Sequence, residues 1–337
     1  MTESVVRVGL AGLGTFGRQH ANVLAGLEGV ELAAICDPRP ESVAWVAERY
    51  NVPGQYANFE EMIAGERLDA VYIVSPEPTH AGMELAAFER GLAVFVEKPL
   101  AMNHEEGQRV VDAAIRAGTV FQVGFVLRFD PHHAFLQQQI VAGMFGQLVS
   151  LRAKRNITRS WFADYGHRVH PVQETLVHDI DLMLWMTRSQ CSAVHAVERS
   201  FTGRANPDAV FATVEFASGA VGLLESSWFV PGRAPANVVS EGWHGTIDGA
   251  LEVVGTERSA QLSMLDSGLK VWSDELVEMP EAALWPTLYN RVGGALRESS
   301  WHFIDRVRGR NVPEVTSIED ALEGLRIADL IIAAARQ

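Results

Sequence analysis

Lys98 is the first side chain in the sequence whose type and setting suit chemistry on a small molecule. It stands in Glu97-Lys98-Pro99, directly after the apolar run Ala93 to Val96, which predicts a short buried strand. A charged pair at the carboxyl end of such a strand faces the crevice in which open α/β sheets bind ligands. Pro99 restricts the backbone beside the pair and so helps to aim the amine. A solvated surface lysine is the alternative, but the position at the strand end favours the ligand crevice.

His178 is the second such side chain. It lies in a predicted helix that begins near Pro171, with Glu174 and Asp181 about one turn before and after it and Trp185 on the same face. Carboxylates at this spacing can control the protonation and ring orientation of an imidazole, as a general acid or base requires. A buried histidine with solvated acids is the alternative. We expect no metal site, because no second histidine stands at ligand spacing from His178.

A glycine motif begins the elements that must position these side chains. Residues 5–11 predict a buried strand, and the complete G-x-G-x-x-G motif Gly12-Leu13-Gly14-Thr15-Phe16-Gly17 follows it. The three glycines allow a tight turn, a close approach of the main chain to a pyrophosphate, and close packing of helix on strand. A helix predicted from Thr15 to Leu24 directs its N-terminal N–H groups at that phosphate. A flexible glycine loop is the alternative for the motif taken alone.

Asp37 ends the second predicted strand, Glu31 to Cys36, twenty residues after Gly17. A carboxylate at this place can accept hydrogen bonds from both ribose hydroxyls of an adenosine. It would repel a ribose 2′-phosphate, so the sequence favours NAD over NADP. Arg39 keeps NADP as the less favoured alternative, because a guanidinium here could neutralise such a phosphate.

A loop with two prolines leaves the next long strand, Ala70 to Val74. Its sequence, Ser75-Pro76-Glu77-Pro78-Thr79-His80, excludes a helix or a central strand and places the loop at the ligand edge of the sheet. An ordinary surface turn is the alternative. The residues that we expect to bind the cofactor are Gly12, Gly14, Thr15, Phe16, Gly17, Asp37, Arg39, Ser75, Pro76, Thr79, His80, Glu97 and Lys98.

Length and charge limit the possible classes of protein. A chain of 337 residues exceeds the usual length of a single core, so we expect two domains. The formal charge of −14 argues against general binding to nucleic acid or to anionic membranes. No apolar run approaches the ~20 residues of a membrane span, and a strand that begins by Val5 leaves no room for a secretory leader. Only two distant cysteines, Cys36 and Cys191, lead us to expect a reducing cytoplasm.

The order of elements predicts an α/β domain followed by an α+β domain. Strands and helices alternate over residues 1–125, as in a Rossmann dinucleotide-binding domain. Residues 126–337 are expected to form a substrate-binding and oligomerisation domain on an open antiparallel β-sheet. The amphipathic helix predicted for residues 317–336 begins with a capping-box spacing and could pack back on the first domain.

Two hairpins are predicted within that sheet. One joins Asp208–Phe216 to Ala220–Trp228 through Ser218-Gly219. The other joins Ala260–Leu265 to Leu269–Trp272 through Asp266-Ser267-Gly268.

These motifs together resemble the Gfo/Idh/MocA family of NAD(P)-dependent oxidoreductases, which includes inositol and sugar dehydrogenases. The glycine motif occurs in many families, whereas the combination of the Lys98 and His178 motifs is much more specific. The sheet and the closing helix fit the family's second domain more loosely. The matching pieces are Gly12 to Gly17, Asp37, the Ser75-Pro76 to Thr79-His80 loop, Glu97-Lys98-Pro99, Val123-Gly124-Phe125 with Arg128-Phe129-Asp130-Pro131, and His178-Asp179-Ile180-Asp181.

The resemblance implies that Lys98 and His178 meet over a nicotinamide ring. In oxidation of a secondary alcohol, His178 would take the hydroxyl proton as general base while Lys98 stabilises the developing alkoxide and a hydride passes to NAD. The family usually has an aspartate four residues before this histidine, where the chain has Glu174. The extra methylene of Glu174 moves its carboxylate, which can alter its contacts with substrate hydroxyls or with His178. The motif therefore does not identify the substrate. The expected catalytic residues are Lys98, His178 and Glu174, and the expected substrate contacts include Lys98, Arg128, Glu174, Thr175 and His178.

A basic segment between Leu151 and Pro171 stands out from the acidic chain. Its basic residues are Arg152, Lys154, Arg155, Arg159 and Arg168, against the single acid Asp164. One hypothesis is that this segment, Arg155 included, meets an anionic group such as that of a sugar acid or sugar phosphate. A solvated or subunit-contacting segment is the alternative.

The sequence therefore predicts an NAD-dependent dehydrogenase, or a reductase in the reverse direction, for a secondary alcohol of a cyclic polyol or sugar. An NAD-dependent glycosidase that oxidises its substrate transiently is one alternative. A non-catalytic, cofactor-sensing regulator is another, although such a protein could dispense with Lys98 and His178. Because the open sheet face is a dimerisation surface typical of the family, we expect a homodimer or homotetramer.

Overall fold

The computed structural model describes residues 5–240, 243–266, 268–273 and 277–336, without the side chains of residues 164 and 165. The helices are α1 Thr15–Ala25, α2 Pro40–Tyr50, α3 Phe59–Gly65, α4 His80–Glu89, α5 His104–Ala117, α6 Pro131–Val141, α7 Phe162–Tyr165, α8 Val177–Thr187, α9 Gly294–Val307 and α10 Ile318–Ala335. The first ten strands are β1 Val6–Ala11, β2 Val30–Cys36, β3 Gly54–Tyr56, β4 Ala70–Ile73, β5 Ala93–Val96, β6 Phe121–Val123, β7 Leu148–Ile157, β8 Cys191–Arg199, β9 Ala209–Phe216 and β10 Val221–Ser227. The remaining strands are β11 Val238–Ser240, β12 Trp243–Gly245, β13 Ile247–Gly255, β14 Ser259–Ser263, β15 Val271–Trp272, β16 Val277–Glu278, β17 Thr287–Leu288 and β18 Arg291–Val292.

The first sheet is parallel throughout and has the strand order β3-β2-β1-β4-β5-β6. This is the order of a Rossmann sheet, with the topological switch point between β1 and β4. The apolar strands β4 and β5 are buried along their whole length, as strands covered on both faces must be. The predicted Rossmann domain is therefore confirmed.

Helix starts in this region follow from local capping residues. The Asn58 side chain accepts from the Glu61 N–H at 2.9 Å, and the Asn103 side chain accepts from the Glu106 N–H at 2.9 Å. In both cases the glutamate stands three residues after the asparagine, the spacing typical of a capping box, and the structure forms both caps.

The second sheet is mixed, which corrects the prediction of an antiparallel sheet. Its order is β14-β13-β7-β10-β9-β8. β10 pairs antiparallel with β9, as predicted, but parallel with β7. The reason is that α8 and the strands β8 and β9 lie between β7 and β10 in the chain, so β10 returns beside β7 in the same direction.

The predicted hairpin between residues 260–265 and 269–272 is wrong. β14 pairs with β13 and β15 pairs with β16, so the two segments do not pair with each other. Ser267, in the middle of the predicted turn, lies outside the described residues.

The chain groups into two compact units. The first contains the residues up to Phe129 together with Ala283–Leu322, and the second contains Asp130–Ala282 and the residues from Glu323 onward. This grouping differs from a division at residue 125, because α9 packs against the first sheet. The Phe303 ring lies edge-on to Tyr72 at 5.3 Å and to Phe95 at 5.7 Å, and all three are fully buried.

Helix α10 belongs in part to each unit. Ser317 caps it by accepting the Asp320 N–H at 3.1 Å, as the spacing predicted. Residues 318–322 belong to the first unit and residues 323–335 to the second. Among the described residues, no helix is both long enough and apolar enough to cross a membrane.

Candidate active site

The glycine turn after β1 is built as a dinucleotide cradle requires. Gly12 has a φ of +89°, and a Cβ there would collide with the main-chain carbonyl of Val74. A Cβ on Gly17 would collide with the carbonyl of Gly12. Among the described residues, a Cβ on Gly14 would instead meet only the Arg39 Nη2 atom, at 3.9 Å. Gly12 and Gly17 are thus required by contacts within the protein, whereas the space beside Gly14 can hold a ligand.

The N-terminus of α1 faces that space. Gly14 is its N-cap, and within the described part of the chain neither a capping side chain nor a first-turn acid satisfies its N–H groups. Free N–H groups and the positive end of a helix dipole bind phosphate well. The residues present therefore fit a dinucleotide pyrophosphate.

Asp37 closes the cradle at the end of β2. One carboxylate oxygen accepts the Leu13 N–H at 2.8 Å and the Arg39 Nη2 at 3.0 Å, and the other accepts the Arg39 N–H and Nε at 2.9 Å each. Burial alone would raise the pKa of Asp37, but the hydrogen bonds from Arg39 and Leu13 outweigh it and hold the pKa below its usual value. Asp37 is therefore ionised and able to accept ribose hydroxyls at neutral pH.

The loop after β4 carries polar side chains that bind one another. The Ser75 and Thr79 hydroxyls lie 2.7 Å apart, and the Thr79 hydroxyl donates to the Pro76 carbonyl at 2.7 Å. His80 is fully buried and places its two ring nitrogens 2.8 Å from the Pro99 carbonyl and 2.9 Å from the Ser75 carbonyl. Burial lowers the pKa of His80 despite these carbonyl contacts. His80 thus braces two loops at the ligand edge.

Lys98 stands at the carboxyl end of β5, as the sequence predicted. It is half-buried, between the buried Glu97 and the buried Pro99, and its peptide bond to Pro99 is cis. Glu97 was expected to contact the cofactor, but its carboxylate is turned inward: one oxygen lies 2.9 Å from the His20 Nε2 atom. His20 was missed by the sequence reading, although its position four residues after Phe16 on α1 places it on the same helix face.

The histidine motif lies in the second unit and is less regular than predicted. Val172–Leu176 forms a turn of π-helix, which passes into α8 at Val177. Turns of this kind are frequent at functional sites. Glu174, His178 and Trp185 are half-buried among buried neighbours, so they share an accessible face, while Asp181 is buried.

Two of the expected substrate contacts, Thr175 and Arg128, are engaged within the protein. The buried Thr175 hydroxyl donates to the Pro171 carbonyl at 2.6 Å and lies 2.7 Å from the Ser226 hydroxyl. The buried Arg128 donates to the Val315 carbonyl and to the Asp320 carboxylate, at 2.8 and 2.9 Å. These geometries favour structural roles for both residues.

Arg155 also differs from its expected setting. Its guanidinium is buried and binds Asp179 through two hydrogen bonds, of 2.9 and 2.8 Å. This bidentate pair joins β7 to α8 and gives Arg155 a carboxylate partner from its own chain. In the described ranges, no group of three or more His, Cys, Asp or Glu side chains is arranged to hold a metal ion.

Comparison with known proteins gives matches along most of the chain. Residues 6–125 match the sequence model of the oxidoreductase family with an NAD-binding Rossmann fold, Gfo/Idh/MocA, and residues 133–261 match that of a C-terminal domain of the same family. The scyllo-inositol 2-dehydrogenase (NAD(+)) of Bacillus subtilis (strain 168) is 28% identical over 327 residues, covering 94% of this chain and 90% of the relative. Inositol 2-dehydrogenase 4 of Saccharopolyspora erythraea is 32% identical over 234 residues, covering 67% and 68%.

Solved structures show the same fold. The crystal structure of myo-inositol 2-dehydrogenase from Lactobacillus plantarum has a TM-score of 0.84 to this chain at 23% identity, covering 98% of this chain and 97% of that one. The glycine cradle, the parallel sheet and the two family domains in sequence order agree with one another. The chain therefore belongs to the Gfo/Idh/MocA family of oxidoreductases with an NAD-binding Rossmann fold.

Proposed function

We propose that the protein is an NAD-dependent dehydrogenase that transfers a hydride between the nicotinamide and a secondary alcohol of a cyclic polyol or sugar. The observation that carries the proposal is the position of Lys98 at the carboxyl end of β5, in the same unit as the dinucleotide cradle. The names of the relatives, scyllo-inositol 2-dehydrogenase and inositol 2-dehydrogenase, support a cyclic polyol as the substrate class.

The proposed chemistry assigns one task to each of two residues. His178, half-buried on an accessible helix face, removes the hydroxyl proton as general base. Lys98 donates a hydrogen bond from its ammonium group to the oxygen, on which negative charge develops. NAD, when bound, accepts the hydride. The joint action of both residues on one hydroxyl rests on the family motifs.

Glu174 completes the proposed site. It shares the accessible face of His178, one turn earlier, and stands where the family usually has an aspartate. We assign it to orienting the imidazole or to a hydroxyl of the substrate.

A neutral substrate fits the second unit better than an anionic one. The hypothesis of an anionic sugar depended on basic side chains such as Arg155, and that guanidinium is engaged by Asp179. NAD is likewise favoured over NADP, because the ionised Asp37 faces the ribose position and Arg39 is bound to it.

Assembly into a homodimer or homotetramer is also part of the proposal. One face of the second sheet is open, and its exposed apolar side chains include Val197, Phe211 and Leu223, at 45%, 45% and 41% exposure. They line a groove of about 550 Å³, which suits the same surface of a second copy. Two free cysteines, one of them buried, support work in a reducing cytoplasm.

A spectrophotometric assay tests the proposed activity. Cyclic polyols and sugars are offered with NAD and with NADP, and absorbance of the reduced nicotinamide is followed. We expect net NADH formation with at least one inositol. Lys98→Met and His178→Asn should each lower kcat by about 100-fold or more, whereas the exposed control substitutions Lys270→Met and His132→Asn should not.

Three outcomes would contradict the proposal. Full activity of Lys98→Met would remove the proposed chemistry. Binding of NADH without turnover of any polyol would favour a regulator. Cleavage of a glycoside without net NADH would favour a glycosidase.

A further inference from the structure

Glu97 is the starting point, because it precedes Lys98 and yet is turned away from the ligand crevice. Its carboxylate is buried, with 6% of the residue exposed. One oxygen lies 2.9 Å from the His20 Nε2 atom, and the other accepts the Lys98 main-chain N–H at 3.3 Å. A Cβ on Gly124 would come within 2.7 Å of this carboxylate, so the protein backbone closes it in on that side.

His20 can contact Glu97 in only one way. It is fully buried, and its ring packs against the rings of Phe16, Phe95 and Tyr72 at centroid distances of 5.2, 5.4 and 5.8 Å. Nε2 donates to the carboxylate, since a carboxylate only accepts. Nδ1 has no hydrogen-bond partner among the described residues, so the ring carries its proton on Nε2. The aromatic rings therefore fix the position of His20, and the contact with Glu97 fixes its tautomer.

We propose that His20 and Glu97 form a positioning pair for Lys98. The aromatic rings hold His20, His20 holds the Glu97 carboxylate, and the carboxylate holds the main-chain N–H from which the Lys98 side chain starts. This inference rests on the proposed function, in which Lys98 acts on the substrate hydroxyl. Neither member of the pair touches the substrate; both act through Lys98.

The pair matters because a buried carboxylate does not tolerate the loss of its partner. Without the His20 N–H, the Glu97 carboxylate would be buried with its strongest donor missing and would move toward water or another donor. Because one of its oxygens holds the Lys98 N–H, this movement would shift the start of the lysine side chain. A displacement of about 1 Å at a reacting group lowers rate by roughly 100-fold.

Three variants separate positioning from simple stability. His20→Leu removes the donor, whereas His20→Gln supplies an amide N–H that can reach Glu97. Phe303→Leu perturbs the same aromatic cluster, through Tyr72 and Phe95, without touching the pair. We expect kcat to fall about 10- to 100-fold in His20→Leu, to stay within about threefold of wild type in His20→Gln, and to stay unchanged in Phe303→Leu even though its Tm falls. The Kd for NADH should change by no more than about threefold in all three.

A second readout does not depend on activity. The chain has three lysines, Lys98, Lys154 and Lys270. Protein labelled with ¹³C at the lysine Cε atoms therefore gives three lysine signals, and Lys98→Met identifies one of them. We expect the Lys98 signal to shift or broaden in His20→Leu, to keep its wild-type position in His20→Gln and Phe303→Leu, and the signals of Lys154 and Lys270 to stay in place throughout.

The two proposals fail in different ways. If Lys98→Met keeps full activity, the proposed function is wrong, while the NMR comparison still tests the pair. If Lys98→Met is inactive but His20→Leu keeps wild-type kcat and an unshifted Lys98 signal, the positioning pair alone is wrong. Equal losses of kcat and Tm in His20→Leu and Phe303→Leu, again with an unshifted signal, would also overturn it.

Discussion

Asp37 ties the glycine turn to the end of β2 through the Leu13 N–H, and it holds Arg39 beside the position proposed for the ribose. The carboxylate thus organises the cradle in addition to its predicted contact with the ribose. Its lowered pKa keeps it charged well below neutral pH, so this arrangement persists across the physiological range.

Replacing Asp37 by alanine should change the choice of cofactor. The variant loses a charged acceptor for the ribose hydroxyls, and it frees Arg39 to meet a 2′-phosphate. We expect the Kd for NADH to rise about 10- to 100-fold, as for loss of hydrogen bonds to a charged group of about 1.5–3 kcal/mol, and the ratio of the Kd values for NADPH and NADH to fall.

Fluorescence titration with both reduced cofactors provides the measurement. Glu41→Gln, which removes the same charge from an exposed position on the first turn of α2, is the control and should change neither Kd. An unchanged preference in Asp37→Ala would mean that the main chain alone selects the nucleotide.

At the level of single residues, the sequence indicated the candidate site residues but not the residues that they bind within the protein. Gly12, Asp37 and Lys98 were predicted because each is marked by its place directly after a strand. The contacts of Glu97 and Arg155 could not be predicted, because each is made with a residue far away in the chain, His20 and Asp179. The sequence alone does not distinguish a charged side chain that points toward a ligand from one that points into the protein.

Among the elements, β7 and α8 are joined by the buried pair of Arg155 and Asp179. Removing one member should leave an uncompensated buried charge. We expect Arg155→Met to lower the free energy of unfolding by about 3–5 kcal/mol, and the double variant Arg155→Met with Asp179→Leu to recover most of that loss. Urea unfolding of the single and double variants checks this.

The same variants test the anionic-sugar hypothesis. If Arg155 binds a substrate anion, Arg155→Met should raise KM for carboxylated sugars and leave the stability nearly unchanged. Lys154→Met is the control, since its ion pair with Asp248 lies at the half-exposed neighbouring position of β7 and contributes about 1 kcal/mol or less.

Helix α4 carries an acid in an unusual place. Glu84 is fully buried, and neither carboxylate oxygen has a hydrogen-bond partner among the described residues. Burial raises its pKa well above the usual value. The folded state therefore keeps the proton, while the unfolded state releases it above its ordinary pKa of ~4.3. Glu84 destabilises the fold progressively as the pH rises above that value, until the pH reaches the folded-state pKa.

Glu84→Gln should remove this pH dependence. We expect the variant to gain about 1–3 kcal/mol over wild type at pH 8 and much less at pH 5, as measured by urea unfolding at both pH values. Glu89→Gln, at an exposed position of the same helix, should show no such difference. A gain for Glu84→Gln that is equal at both pH values would contradict the explanation.

Elements with local signals were predicted well, and pairings between distant segments were not. Asn58, Asn103 and Ser317 mark helix starts through contacts within four residues. The hairpin of β9 and β10 was likewise local. The parallel pairing of β7 with β10 joins residues 150–154 to residues 221–225, and no turn residue between them marks it.

At the scale of the whole molecule, the proposed assembly uses the open sheet face of the second unit. Phe211→Glu places a charge among Val197 and Leu223 on this face and should disfavour its burial against a second copy. We expect light scattering after size-exclusion chromatography to show a smaller mass for Phe211→Glu than for wild type.

Ile115→Glu tests whether this effect is specific. Ile115 is 64% exposed on α5 of the first unit, so its substitution adds the same charge elsewhere. An equal loss of mass in both variants, or wild-type mass in Phe211→Glu, would place the contact between copies on another surface.

The first unit is assembled from two stretches of chain, one of which is made late. Synthesis of the intervening Asp130–Ala282 takes roughly 8–30 s at ~5–20 residues per second. During that interval Phe303 has not yet been synthesised, so the Tyr72 and Phe95 rings lack the ring that packs against them in the complete protein. We expect nascent chains arrested before Ala283 to be cut readily by protease in their nucleotide-binding half, and chains arrested after Leu322 and clear of the exit tunnel to resist.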